Sequence, residues 1–295
     1  PQQKQNHMAE NNVLKIDVGE VIRTRAPRLA RLLPGCIVGW LERLICQKEL
    51  NRLLEENAGK KNGAFCKGVL ESLDITVTMA HQERLPAKHH RRVVFVCNHP
   101  LGGLDGIALI HLIESYFGSQ VWFIVNDLLM AVKPLEGVFL PINKFGKQSR
   151  ATYRAIDEAF AGNDPIIIFP AGLCSRLNTV DSNGTKREVI SDLEWHKMFV
   201  NKCVAYKRDI VPLFFSGRNS MNFYKKARLR KRLGIKFNLE QIMLPREMIQ
   251  SRGKTYTVVV GHIHPYTEFE GGHNADKHAA ELKAEVYALA KEVHP

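Results

Sequence analysis

Long hydrophobic runs are absent from this chain of 295 residues. The longest apolar stretch, from Leu32 to Leu41, covers about ten residues, whereas a transmembrane helix needs about 20. Residues 1–12 are polar and no apolar core follows them, so we treat them as a tail and see no secretory signal. These absences predict a protein without a transmembrane helix.

Cysteine pairs and hydrolase motifs are missing as well. The six cysteines are scattered, and no two of them form a Cys-x-x-Cys pair. Reduced thiols in a cytoplasmic protein are the simplest explanation. No Gly-x-Ser-x-Gly elbow occurs, which argues against a serine-dependent thioesterase. The chain also lacks internal repeats and low-complexity tracts.

Positive charge is abundant and unevenly distributed. Between Arg218 and Lys254 the chain has eleven lysines and arginines against two glutamates, so this segment carries most of the net charge of +12. Such a patch favours a polyanion, either nucleic acid or an anionic membrane surface. Because no nucleic-acid-binding fold signature is visible, we favour the membrane and expect no nucleic acid partner. The basic side chains expected to face the membrane are Lys225, Lys226, Arg228, Arg230, Lys231 and Arg232.

The N-terminal part, residues 13–60, reads as an amphipathic helical appendage. Arginines alternate with leucines and Trp40, and Pro34-Gly35 divides the stretch into two short helices. Cationic side chains beside Leu and Trp suit a helix that lies among lipid headgroups. An amphipathic helix packed on its own domain is the alternative. A polar loop over residues 57–63 marks the boundary to a domain formed by residues 61–295.

Strand and helix patterns alternate through that domain. Strands are predicted at 75–79, 93–97, 121–126, 137–142, 165–169, 210–215 and 256–263, and helices at 105–117, 148–161, 191–206 and 275–293. Strands separated by helices of this length imply a sheet covered on both faces. We therefore predict an α/β fold with a central mixed, largely parallel sheet flanked by helices and an N-terminal helical appendage.

The segment from Val93 to Asp105 combines a buried strand, a tight loop and the start of a helix. His99 lies at the mouth of the loop after Asn98, and Gly102-Gly103 allow the chain to fold back toward Asp105. A histidine can take a proton from a hydroxyl near neutral pH, and a carboxylate beside it fixes its tautomer. A solvated histidine and a helix-capping aspartate are the alternative interpretation.

Two further clusters follow predicted strands. Phe169 to Arg176 contains Gly172, which lets backbone amides approach a ligand, and Arg176, which can fork onto a phosphate or carboxylate. Gly137 to Lys144 places a cation after a strand. Since ligands gather at the carboxyl ends of such strands, both clusters are expected near His99. A turn with a surface arginine is the simpler alternative for the first of them.

Together these segments resemble the glycerolipid acyltransferase family, which includes the 1-acylglycerol-3-phosphate acyltransferases. The matching blocks, in chain order, are Asn98-His99 to Asp105, Gly137 to Lys144, Phe169-Pro170-Ala171-Gly172 with Ser175-Arg176, Ile210 to Leu213, and Gly261 to Pro265. Three departures stand out. The gap between His99 and Asp105 is one residue longer than in the family, Lys144 replaces an arginine, and Ala171 replaces a glutamate.

The resemblance implies a glycerol-3-phosphate acyltransferase-like fold and a peripheral, monotopic O-acyltransferase on the cytoplasmic face of the membrane. His99 would act as general base and Asp105 would orient it. Asn98, Gly102 and Gly103 would form the loop. Acceptor binding would fall to Lys144, Gly172, Ser175 and Arg176.

The resemblance also implies the substrates. The donor would be a thioester of acyl carrier protein or coenzyme A, with no bound cofactor. The acceptor would be a lysolipid such as 1-acylglycerol-3-phosphate. Because the blocks that bind the acceptor depart most from the family, a lyso-amino-acid lipid of the ornithine or glycine type is the rival acceptor.

Two other residue patterns invite chemistry. Cys174 near a histidine could form an acyl-enzyme, as in a cysteine-dependent thioesterase, although buried and inert cysteines are the default. His262 and His264 share one strand face, but no third ligand at suitable spacing accompanies them. We therefore expect structural histidines there and no metal.

Overall fold

The computed structural model describes residues 15–25, 27–126, 132–142, 150–182, 185–235 and 239–293. Within these ranges the strands are β1 (Thr76–Ala80), β2 (Val93–Cys97), β3 (Trp122–Asn126), β4 (Phe139–Ile142), β5 (Ile166–Ile168), β6 (Arg176–Ser182), β7 (Thr185–Ser191), β8 (Asp209–Phe215) and β9 (Thr255–Val260). Seven strands form one sheet in the order β1-β9-β8-β2-β5-β3-β4, while β6 and β7 form a separate antiparallel hairpin.

The sheet is mixed and largely parallel, as predicted. The strands β8, β2, β5, β3 and β4 run in one direction, whereas β1 and β9 pair in parallel with each other and run opposite to β8. The carboxyl ends of β2, β5 and β8 therefore lie together at one edge, which is where a sheet of this type presents its ligand site.

The described helices are α1 (Val18–Arg25), α2 (Pro27–Leu32), α3 (Gly35–Leu44), α4 (Gln47–Glu56), α5 (Asn62–Ser72), α6 (Gly103–Phe117), α7 (Arg150–Ala161), α8 (Met198–Tyr206), α9 (Met221–Arg232), α10 (Leu244–Ile249) and α11 (Ala275–Ala288). None of the helices in the described ranges combines the length and the hydropathy that crossing a bilayer would require.

Alternating side chains of the central strand β2 pack against helices on opposite faces of the sheet. Phe95 belongs to a core cluster that includes Leu109 of α6, whereas Val94 belongs to a second cluster with Phe160 of α7 and Phe199 of α8. All five residues of β2 are buried. A strand buried on both faces reads as a continuous apolar run, which explains why its bounds were predicted correctly.

The prediction of a helix over residues 191–206 is wrong for the first half of that range. Residues 185–191 form β7, which pairs with β6, and α8 begins only at Met198. The hairpin is largely exposed, with Val180 and Val189 about half exposed. Its sequence shows no regular alternation of apolar and polar residues, so periodicity did not predict it.

The N-terminal segment contains more helices than the two predicted. Two helices precede Pro34, and α3 and α4 follow it. The side chains of Leu53 and Leu54 in α4 are buried in the main core cluster. The appendage predicted over residues 13–60 is thus joined to the α/β domain through α4, while α3 has no buried residue.

The buried side chain of Arg208 caps the carboxyl end of α7. Its fully buried guanidinium donates hydrogen bonds of 2.7–2.8 Å to the carbonyls of Ala159, Phe160, Gly162 and Asp164. Burial lowers the pKa of Arg208 to about 10, so the group stays charged at neutral pH. The last carbonyls of a helix lack partners within the helix, and a cation there also complements the helix dipole.

Replacing this arginine tests its contribution to stability. Arg208→Met should lower the free energy of unfolding by about 2–4 kcal/mol, because four carbonyls lose their buried donor. Urea unfolding followed by circular dichroism measures the change, and Arg232→Met at an exposed position serves as the control. A loss below about 1 kcal/mol would contradict this role for Arg208.

Candidate active site

The loop between β2 and α6 brings a histidine and an aspartate into contact. His99 follows β2, Asp105 lies in the first turn of α6, and His99 Nδ1 is 3.0 Å from Asp105 Oδ2. The carboxylate is fully buried and the imidazole is 16% exposed. Because a carboxylate accepts at Nδ1, that nitrogen carries the proton and Nε2 keeps its lone pair. The pair therefore has the geometry of a general base with its orienting group.

Asp105 also holds the loop in shape. Its Oδ2 accepts from the N–H groups of Leu101 and Gly102 at 2.9 and 3.2 Å, and its Oδ1 accepts from Gly106 N–H at 2.9 Å. Gly102 has a φ of +83°, and a Cβ at this position would lie 2.8 Å from the side chain of Leu244. A glycine is required here, because a side chain would be strained at this φ and would clash with Leu244.

The aromatic ring of Phe169 supports the imidazole. The two rings stack with centroids 4.0 Å apart and an interplanar angle of 16°, and Phe123 packs edge-on against Phe169 at 5.4 Å. Phe169 directly follows β5, as the sequence analysis expected for this cluster. Farther along the same loop, Ser175 N–H donates to the carbonyl of His99 at 2.7 Å. The strand ends of β2 and β5 therefore share one site.

A second buried carboxylate, Asp192, joins these two loops. Its Oδ1 accepts from His99 N–H at 3.1 Å and from the Ser175 hydroxyl at 2.6 Å, and its Oδ2 accepts from Trp195 Nε1 at 3.0 Å. Asp192 is 2% exposed. Asp192 was not among the predicted site residues, because the segment 191–206 was predicted to be a helix. No pattern in the sequence singles it out.

The helix α11 fixes Asp192 from behind. The backbone N–H of Asp192 donates to the hydroxyl of Tyr287 at 2.7 Å, and Lys283 Nζ donates to the carbonyl of Asp192 at 2.8 Å. Burial is the main reason why the pKa of Tyr287 is raised. Through these bonds the C-terminal helix contributes to the backbone position of His99.

Two of the residues predicted to form the loop, Asn98 and Gly103, lie at its two ends. The side-chain amide of Asn98 donates to the carbonyl of Phe215 at 2.9 Å and accepts from the N–H of the same residue at 2.7 Å, which ties the loop to the end of β8. Gly103 is the first residue of α6. The structure adds Asn219, whose side-chain amide donates to the carbonyl of Pro100 at 3.2 Å.

The predicted acceptor residues have different surroundings. Lys144 lies outside the described residues. Ser175 is buried, and its hydroxyl is used by Asp192. Gly172 has a φ of +63° in an exposed turn. Arg176 is 9% exposed and donates to Glu240 Oε1 at 2.7 Å, so it is not a free fork for an anionic acceptor as the sequence analysis expected.

The six basic residues expected to face an anion fall into two groups. Arg228 pairs with Glu188, and Arg230 Nε lies 2.8 Å from Glu240 Oε2. These two are therefore neutralised within the protein. The other four are exposed, and no described acidic group lies within ion-pair distance of them: Lys225, Lys226, Lys231 and Arg232.

The two alternative chemistries find no support. Cys174 is buried beside Arg176, and burial raises the pKa of its thiol to about 11, which leaves it protonated at neutral pH. His264 is hydrogen-bonded to Glu285 and Glu268, and the bond to Glu285 is the main cause of its pKa being raised to about 9. In the described ranges no group of His, Cys, Asp or Glu has the arrangement of a metal site.

Comparisons with known proteins found a matching family model and similar proteins. A family model described as Acyltransferase matches residues 20–293. A lyso-glycine lipid O-acyltransferase of Bacteroides thetaiotaomicron is 39% identical over 96% of this chain and 100% of that protein. A lyso-glycine lipid O-acyltransferase of Phocaeicola vulgatus is 38% identical over 96% of this chain and 98% of that protein.

A solved structure is also similar. It is the 1-acyl-sn-glycerophosphate (LPA) acyltransferase PlsC from Thermotoga maritima, with a TM-score of 0.47 and 17% sequence identity. The similarity covers 87% of this chain and 90% of that one.

Removing the charge of Asp192 tests whether it positions His99. In Asp192→Asn one oxygen becomes an N–H donor that faces other donors, so the bonds to His99 N–H, Ser175 and Trp195 cannot all persist. We expect the turnover number of acyl transfer to fall about 10- to 100-fold with KM changed less than threefold. The proton resonance of the His99 imidazole should shift as well, whereas it should not in the surface control Asp276→Asn.

A shift of that resonance separates positioning from general stability. A variant that melts at a lower temperature but keeps the His99 resonance and the turnover number of the parent would show that Asp192 has only a structural role.

Proposed function

Because this chain belongs to the acyltransferase family, we propose that it transfers a fatty acyl chain from a thioester to the free hydroxyl of a lyso-glycine lipid. Lipid O-acyl transfer is its reaction class. The pair formed by His99 and Asp105 carries the chemical part of the proposal, since it leaves one imidazole nitrogen free to act as a base. The two relatives carry the choice of acceptor.

The reaction needs two proton transfers, one to His99 and one from it, and no covalent enzyme intermediate. The acceptor hydroxyl donates to His99 Nε2 and gives up its proton as its oxygen attacks the carbonyl carbon of the thioester. The carbon–sulfur bond then breaks, and the leaving thiolate takes the proton from the imidazolium of His99, which restores the neutral imidazole. The products are an ester and a free thiol. Asp105 stabilises the imidazolium that exists between these steps.

The charge around the site supports an acceptor with a small anionic group. The guanidinium of Arg176 is paired with Glu240. The side chain of the buried Ala171 can neither accept a hydrogen bond nor orient a cation. A phosphomonoester carries up to two negative charges and is best gripped by a free arginine fork. A carboxylate carries a single charge and needs less compensation.

The donor and the location follow from the chemistry. An acyl thioester of acyl carrier protein or coenzyme A supplies the acyl chain, and both carriers are anionic. A lipid acceptor with one acyl chain resides in a membrane, so we place the protein at the cytoplasmic surface of the membrane as a peripheral protein.

Acceptor preference is the decisive measurement. With one acyl donor, kcat/KM for a lyso-glycine lipid should exceed that for lysophosphatidic acid by at least 100-fold, which corresponds to about 2.7 kcal/mol in transition-state binding. A preference for lysophosphatidic acid of the same size would overturn the proposed acceptor but leave lipid acyl transfer intact.

Removal of the base tests the mechanism. His99→Ala should lower kcat by about 10²- to 10⁴-fold while the chain still folds, because the hydroxyl loses its proton acceptor. Asp105→Asn should cost less in kcat but also destabilise the loop, since three backbone N–H groups bond to that carboxylate. The control is His262→Ala at an exposed position. Near-parental turnover by His99→Ala would rule out this mechanism.

A further inference from the structure

From Lys225 to its end, α9 is rich in basic side chains, and most of them have no acidic partner among the described residues. Lys225, Lys226, Lys231 and Arg232 are exposed, and within the described part of the chain none has an ion-pair partner. The last turn of the helix carries three consecutive cations. Four uncompensated positive charges within eight residues attract a polyanionic surface.

Large aliphatic side chains project from the same region. Leu229 is 55% exposed, Leu233 is 64% exposed and Ile235 is 39% exposed. Leu233 N–H donates to the carbonyl of Leu229, so the two leucines lie one helical turn apart on one face. Lysine and arginine side chains flank them along that face. Exposed leucines with lysines and arginines nearby are typical of a helix surface that enters a lipid headgroup layer.

The amino-terminal end of α9 contacts the loop that carries His99. The helix begins two residues after Asn219, whose side chain donates to the carbonyl of Pro100. Leu244 of helix α10 lies close to Gly102 of the same loop, where a Cβ would clash with it. Leu44 of α3 packs against the cluster of Phe223 and Tyr224 at the inner side of α9. The start of α9 therefore lies at the sheet edge that carries His99.

We propose that Lys225, Lys226, Leu229, Lys231, Arg232, Leu233 and Ile235 form one surface, the α9 surface, that docks on an anionic bilayer. Leu229, Leu233 and Ile235 enter the acyl boundary, while the four cations contact lipid phosphates. The choice of a bilayer rests on the proposed function, because a lipid acceptor must be reached in its membrane. The aliphatic side chains favour a bilayer over nucleic acid, which would use the cations but not the leucines.

Vesicle binding without substrates tests the aliphatic part. The full chain is mixed with vesicles of phosphatidylcholine containing 30% phosphatidylglycerol and then sedimented. The variant L229S/L233S/I235S should bind about 10-fold more weakly than the parent, because the three apolar side chains no longer enter the bilayer. The control is V180S/V189S, which removes two comparably exposed aliphatic residues from the hairpin, and it should bind like the parent.

Neutralising lysines tests the electrostatic contribution to vesicle binding. K225Q/K226Q/K231Q should lower the affinity about 30-fold at 0.1 M salt, since each basic residue near such a surface contributes to binding and salt screens it. The matched control K207Q/K277Q/K291Q removes the same number of exposed lysines elsewhere and should change the affinity less than threefold. Vesicles of phosphatidylcholine alone should bind all of these proteins weakly.

Three outcomes would overturn the α9 surface. One is equal binding by the leucine variant and the parent. Another is equal weakening by the two lysine variants, because it would mean that net charge alone matters. The third is parental vesicle binding by the leucine variant together with a higher KM for acyl carrier protein thioester, which would assign the surface to the donor. All are measured apart from acceptor preference, so failure of the proposed function is distinguishable from failure of the docking surface.

Discussion

The hydrogen-bonded burial of one carboxylate determines the shape of the whole site. Asp105 is fully buried, and a buried charge is tolerated only when its oxygens are satisfied. The amides of Leu101, Gly102 and Gly106 and the imidazole of His99 satisfy them. The same bonds that make the carboxylate acceptable in the interior also close the loop and cap α6. The same hydrogen bonds of Asp105 therefore stabilise the loop and orient the imidazole of His99.

A second carboxylate extends this arrangement to distant parts of the chain. Asp192 holds the backbone of His99 and the hydroxyl of Ser175, and α11 holds Asp192 in turn through Tyr287 and Lys283. The ends of the strands, the hairpin and α11 are thus all connected to the backbone of His99. These connections hold His99 in a fixed position, which is the arrangement that a positioned proton transfer would require.

The charges of the protein separate into internal and external sets. Arg208 and Arg176 are buried and used within the fold, on helix carbonyls and on Glu240. The exposed lysines of α9 have no such partners among the described residues. The basic composition alone does not distinguish these uses. Burial assigns the first set to stability and leaves the second available for binding a polyanion.

Much of the fold and the contact between His99 and Asp105 followed from the sequence. Buried strands such as β2 are continuous apolar runs, and the glycines after His99 mark a loop that can return to Asp105, so local pattern was sufficient there. The hairpin of β6 and β7, the role of Asp192 and the capture of Arg176 by Glu240 were decided by tertiary structure. Each depends on contacts between residues far apart in the chain, and single-sequence periodicity contains no information about which distant groups satisfy a buried charge.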